Sequence, residues 1–211
     1  MPLTEIIKND KSSIGIWHLD ENSGMLKQML NYYGYYQIPP HYNHQRRICE
    51  WYAVRLILHE MLPDKRFELR YDEYGKPFLT EPEGFVSISH SHGYVGVMYH
   101  KNSNCGFDME MINERIEKIS TKFLRDDEMM IVGNDDERLH KTFVVWSAKE
   151  VMYKIYGKKS IDFKTNLRIL PFNLKQHGNV QGQLILDNKT TDFDIHYSID
   201  NGILKANAID R

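Results

Sequence analysis

The sequence predicts an α+β fold with two halves meeting near residue 105. Two observations point to the class. Two long helical patterns, at 44–62 and 138–157, are separated by a cluster of short alternating strands and followed by another, so strands and helices come in runs. The chain of 211 residues, 41% hydrophobic and 27% charged, can also bury a substantial core. The halves are expected to be 1–104 and 105–211.

In chain order, "SIGIWHL" (13–19) alternates as a strand. "HQRRICEWYAVRLILHEML" (44–62) reads as an amphipathic helix stopped by Pro63. "DEYGKPF" (72–78) reads as a turn, and "GFVSISH" (84–90) with "YVGVMYH" (94–100) as a hairpin around "SHG". After the "KNSN" turn comes "CGFDMEMI" (105–112), then a helix over roughly 113–132 and a loop at "VGNDDE". "RLHKTFVVWSAKEVMYKIYG" (138–157) is a long helix ended by Gly157. "NLRIL", "VQGQLIL", "FDIHYSI" and "ILKANAI" are short strands joined by polar turns.

The strand at 105–112 holds the chemistry. Alternation puts Cys105, Phe107, Met109 and Met111 on one face, and Gly106, Asp108, Glu110 and Ile112 on the other. Two acids two residues apart repel, so a cation between them is favoured: a lysine, an arginine or a metal. The glycine beside them leaves room for something to approach. On the 138–157 helix, Val144, Val145, Ala148, Val151, Met152, Ile155 and Tyr156 form a core face. Opposite lie Phe143, Trp146, Ser147, Glu150 and Lys154, too aromatic for a solvated back. Glu150 and Lys154 are neighbours four apart.

Bulk properties exclude some classes. A formal net charge of −2 argues against broad nucleic-acid or anionic-membrane binding. Two cysteines, Cys49 and Cys105, have no metal or redox spacing and suit a reducing compartment. The start lacks a signal-peptide pattern and no apolar run reaches transmembrane length, so a soluble cytoplasmic protein is expected. His90 and His92 lack a third ligand of suitable spacing. His41 and His44 read as surface residues, Trp51, Tyr52 and Leu56 as core. Arg46, Arg47 and Arg55 could be the polar stripe of their helix, and "RDDE" (125–128) a solvated turn.

"GKPFL" (75–79), "SISHS" (87–91), "GFDME" (106–110) and "WSAKEVMYK" (146–154) stand in the order and spacing of the surfactin-synthetase-activating type of 4′-phosphopantetheinyl transferase. The resemblance runs from about residue 42 to 165. It implies transfer of the phosphopantetheine arm of coenzyme A to a serine of an apo acyl or peptidyl carrier protein, releasing adenosine 3′,5′-bisphosphate. Asp108, Glu110 and Glu150 would hold one Mg²⁺, an ion suited to oxygen ligands. Lys154 would neutralise the pyrophosphate and protonate the departing oxygen; Glu150 or a metal-bound water would accept the serine proton.

Coenzyme A contacts are implied at Gly75 and Lys76, at Ser89 and His90, and at Asp108 and Lys154. His90 would lie near the 3′-phosphate, and Ser87 stands where relatives usually have Asn. Arg46, nine residues before Arg55, matches a phosphate-binding arginine, with Arg47 the alternative one position on. Lys149 lies between the two faces of its helix and could meet phosphate or solvent. Lys122, Phe123, Leu124, Met129 and Met130 are candidates for the carrier-docking surface. The resemblance implies a pseudo-two-fold arrangement of two similar α/β halves, a monomer with coenzyme A and the active site in the cleft between them. Two other readings are a non-catalytic coenzyme A- or carrier-binding protein and a different metal-dependent enzyme acting on phosphates, such as a nuclease.

Overall fold

A computed structural model describes residues 3–34, 36–63 and 66–210. The fold is α+β, with two antiparallel sheets and five α-helices among the described residues. The first sheet takes β1 (Leu3–Lys8), β2 (Ser12–His18), β3 (Leu69–Tyr71), β4 (Pro77–Thr80), β5 (Glu83–Ser91) and β6 (Tyr94–His100), in the order β1-β2-β6-β5-β4-β3. The second takes β7 (Cys105–Met111), β8 (Leu167–Ile169), β9 (His177–Leu186), β10 (Lys189–Asp200) and β11 (Ile203–Ile209), in the order β7-β11-β10-β9-β8.

Helix α1 (Ser23–Asn31) begins where the Asn22 side chain accepts the Met25 N–H at 3.0 Å, a standard N-cap. Helix α2 (Gln45–Met61) covers one face of the first sheet, packing on Trp17, Val86, Val95 and Val97. Its pattern suggested a solvated stripe, yet Glu50, Arg55 and His59 are all buried. Tyr36, Ile38, Tyr42 and Phe67 pack over what would have been the outer side. Each buried polar group there has a partner; His59 Nε2 meets the Tyr36 hydroxyl at 2.7 Å.

The 5–6 hairpin turns on His92 and Gly93, both with positive φ (46° and 87°), and Ser91 pairs with Tyr94 across it. Asp187–Asn188 and Asn201–Gly202 make the same kind of left-handed two-residue turn in the second sheet.

The helix expected at 113–132 is broken into three. A 3₁₀ turn (Glu114–Lys118) meets α3 (Ser120–Phe123) at Ile119, and extended backbone at Leu124 and Arg125 separates α3 from α4 (Asp126–Val132). The Arg125 N–H donates to Glu128 Oε2 at 2.9 Å, which starts α4 afresh. "RDDE" is therefore a helix start rather than a solvated turn, and Glu128 is fully buried.

Helix α5 (Arg138–Tyr156) ends at Gly157 in the left-handed conformation, φ 70°. It packs on the second sheet, and Gly106 lets it come close: a Cβ there would fall on the Val151 carbonyl oxygen and lie 2.9 Å from Ile155 Cγ1. The opposite face of β7, Cys105, Phe107 and Met109, joins Ile16 and Met98 of the first sheet in a small core. Strand β7 is thus covered on both faces. Replacing Gly106 by Ala is expected to destabilise the protein by about 1–3 kcal/mol through overpacking. Urea unfolding reads this, and an unchanged midpoint would contradict the close approach.

Candidate active site

Strand β7 pairs with β11 along one edge only. Its other edge has N–H groups without a strand to receive them, a costly state when buried. Serines of β5 take that place. The N–H groups of Phe107, Met109 and Met111 donate to the hydroxyl oxygens of Ser87, Ser89 and Ser91 at 2.9, 3.3 and 3.3 Å. The period of two aims all three serines at β7. Two of them then donate onward: Ser89 to Asp108 Oδ1 at 2.9 Å, and Ser91 to Glu110 Oε2 at 2.7 Å.

The other side of the acids is held by α5. Trp146, Glu150 and Lys154 are spaced four apart and share a face. The Lys154 ammonium donates to Asp108 Oδ1 and to the Phe107 carbonyl, both at 2.8 Å. The Trp146 indole N–H donates to Glu110 Oε1 at 3.4 Å. Each strand acid is gripped by one serine of β5 and one residue of α5. Ser91 is a site residue that the motif reading did not single out, and a strand face made only of serines was the available signal; Trp146 was signalled by the aromatic back of its helix.

Glu150, between Trp146 and Lys154, makes no hydrogen bond among the described residues. Desolvation, reinforced by the Asp108 and Glu110 charges and opposed by Lys154, raises its pKa to about 7. Glu110 is raised too, by desolvation and then by Asp108. Asp108 is 3% exposed, and its Oδ2 is a buried atom with no hydrogen-bond partner.

The resident cation found beside the strand acids is Lys154. Among the described residues, no three His, Cys, Asp or Glu side chains already form a metal-binding cluster. The donor set nevertheless fits a hard divalent ion. It offers carboxylate oxygens only, a single lysine against three acids, and one orphaned buried oxygen.

Next to the acids opens a cavity of about 310 Å³, and Lys154 lies on its wall. Gly75, Lys76 and His90 also line it, and so does Arg47, whereas Arg46 does not. Both arginines donate to the buried Glu50, Arg46 Nε to Oε1 at 3.0 Å and Arg47 Nη1 to Oε2 at 3.3 Å. Ser89 faces Asp108 rather than the cavity. Gly75 turns with φ 89°, and Asp72 Oδ1 accepts the N–H groups of Tyr74 and Lys76 around it.

The Lys76 ammonium reaches the Ile155 carbonyl at 2.8 Å and the Asn104 side-chain oxygen, tying this turn to the end of α5. Burial pulls its pKa down. Also on the cavity wall, the buried Arg55 lies 3.4 Å over the Trp51 ring and donates to the Trp51 carbonyl. Burial lowers its pKa to about 10. Arg55 is part of the cavity, not of a polar stripe.

Lys149 meets neither phosphate nor solvent. It is fully buried and donates to Glu128 Oε2 at 2.6 Å and to the carbonyls of Phe123 and Phe163. Burial dominates its pKa, which falls to about 8. Of the docking candidates, Met130 is exposed, while Phe123 and Leu124 are buried.

Glu150 gives a pH test. Its folded pKa lies above the ordinary 4.5, so the folded chain binds the extra proton and loses stability as pH rises from about 4.5 to 7. Glu150→Gln, measured with chelator present, is expected to unfold at higher urea than the parent at pH 8. The gain should be about 1–3 kcal/mol and shrink towards zero near pH 4.5. An equal or lower midpoint at pH 8 would contradict the crowding of charge.

No helix among the described residues is long and apolar enough to cross a membrane. No curated protein matches the chain. Residues 104–207, just under half of the chain, do match a family model. The half that carries β7, α5 and the acid trio is similar to the 4′-phosphopantetheinyl transferase superfamily, a group of transferases.

Proposed function

We propose that the protein moves the 4′-phosphopantetheine group of coenzyme A to a serine of an apo carrier protein, with Mg²⁺ bound by Asp108, Glu110 and Glu150. The observation that carries this is the orphaned Asp108 oxygen, set among three carboxylates beside a cavity walled by cations, within the stretch that matches the superfamily. The cavity would hold the nucleotide end of coenzyme A. Arg47, Lys76 and His90 lie on its wall for phosphates, and Gly75 gives close backbone approach. Ser89 and Arg46 would act one step back, Ser89 by holding Asp108 and Arg46 by sharing Glu50 with Arg47.

When bound, Mg²⁺ would withdraw charge from the pyrophosphate. Glu150, the carboxylate of the trio that makes no hydrogen bond among the described residues, is the candidate proton acceptor. The carrier serine oxygen would bond to the phosphorus of the phosphopantetheine phosphate, breaking its bond to the bridging oxygen. The serine proton would pass to Glu150, and the bond electrons would leave with adenosine 3′,5′-bisphosphate. Lys154, already beside Asp108, would neutralise that leaving group and supply its proton if one is taken up. Monomeric action in the cytoplasm accompanies this reading.

Incubation with coenzyme A, Mg²⁺ and a panel of apo carriers is expected to add one phosphopantetheine mass to a carrier serine. Glu150→Gln and Asp108→Asn should each cut turnover by about 100-fold or more. No mass gain across the panel, or near-parental turnover in both variants, would reject the reading. Tight coenzyme A binding without transfer would support a binding protein instead.

A further inference from the structure

The Trp146 indole packs against two rings, tilted by 58° and 36° to its plane. Phe123 lies 4.9 Å and Phe163 5.5 Å from it, centroid to centroid. These rings come from α3 and from the segment after α5, neither of which belongs to a sheet. What fixes them is the buried ammonium of Lys149, which donates to the backbone carbonyls of these same two residues, at 2.7 and 2.9 Å. Lys149 is in turn neutralised by Glu128. Glu128 is itself saturated by the N–H groups of Arg125 and Ile169, at 2.9 and 2.7 Å. A buried pair so fully bonded holds one geometry, because breaking any member leaves a charge unsolvated.

The indole N–H donates to Glu110 Oε1 at 3.4 Å. Ser91 already holds Oε2, so Trp146 removes the remaining freedom of that carboxylate. We infer that Trp146 is a positioning residue: packed against Phe123 and Phe163, which the Lys149–Glu128 pair anchors, it fixes Glu110 in the orientation that receives the divalent cation. This deepens the metal-dependent reading above and rests on it. Outer partners of this kind typically change metal affinity by about 10–100-fold.

Trp146→Phe keeps a ring against Phe123 and Phe163 and deletes the N–H. With Mn²⁺ as the probe, followed by its electron paramagnetic resonance signal, the full chain is expected to bind Mn²⁺ and W146F to bind it at least tenfold more weakly. The KM for coenzyme A should stay within twofold, because Trp146 does not line the cavity. Equal Mn²⁺ affinity in parent and variant would overturn the inference while leaving the functional reading in place. A parent that binds no Mn²⁺ would overturn both.

A second measurement needs no variant at this position. Mg²⁺ alone should shift the Trp146 indole ¹⁵N–¹H resonance and leave that of Trp17, which donates to Glu21 on another part of the fold, in place. The two can be assigned by Trp17→Phe and Trp51→Phe. An unmoved Trp146 resonance at saturating Mg²⁺ would count against the inference even if W146F failed to fold.

Discussion

The molecule depends on how it treats one strand edge. Strand β7 borders the second sheet and lies against the first, so its free amides face protein instead of water. A buried amide left without an acceptor costs about 1–3 kcal/mol. Three serine hydroxyls of β5 replace the missing strand, and two of them, Ser89 and Ser91, also hold the two acids that β7 carries. Joining the sheets and orienting the acids are one act. Because a hydroxyl both accepts and donates, serine at alternate positions can do both; an apolar residue could do neither.

Helix α5 completes the frame from the other side, and its approach depends on Gly106. The result is an imbalance of charge. Asp108, Glu110 and Glu150 share Lys154 as the cation inside their cluster, and a buried oxygen of Asp108 stays unpartnered. Such a group can relieve itself by taking up a proton, which is why Glu150 becomes a weaker acid, or by taking up a divalent ion. Under the proposed function Asp108, Glu110 and Glu150 would hold the ion, which would supply charge for the phosphates.

Much of this was legible in the sequence. Alternation placed Asp108 and Glu110 on one face of a strand, helical spacing placed Glu150 beside Lys154, and the cluster of turns, strands and two long helices gave the fold class. What escaped was set by tertiary contact. Lys149 read as a contact for phosphate or solvent because nothing local to it reveals Glu128, Phe123 and Phe163, which reach it from α4, α3 and the segment after α5. Glu128 hid inside an acidic run that reads as solvated. Arg55 looked like a polar stripe because the segment covering α2 has no strong pattern of its own. Ser87, Ser89 and Ser91 were visible as letters, but their purpose appears only when β7 lies alongside.

The most direct test is a crystal structure of the protein with Mn²⁺ and coenzyme A, read by anomalous scattering at the manganese edge. The account predicts one strong peak bounded by Asp108 Oδ2, Glu110 and Glu150, with the pyrophosphate reaching it from the cavity. Carboxylates without a peak among them, or nucleotide bound elsewhere on the surface, would contradict it.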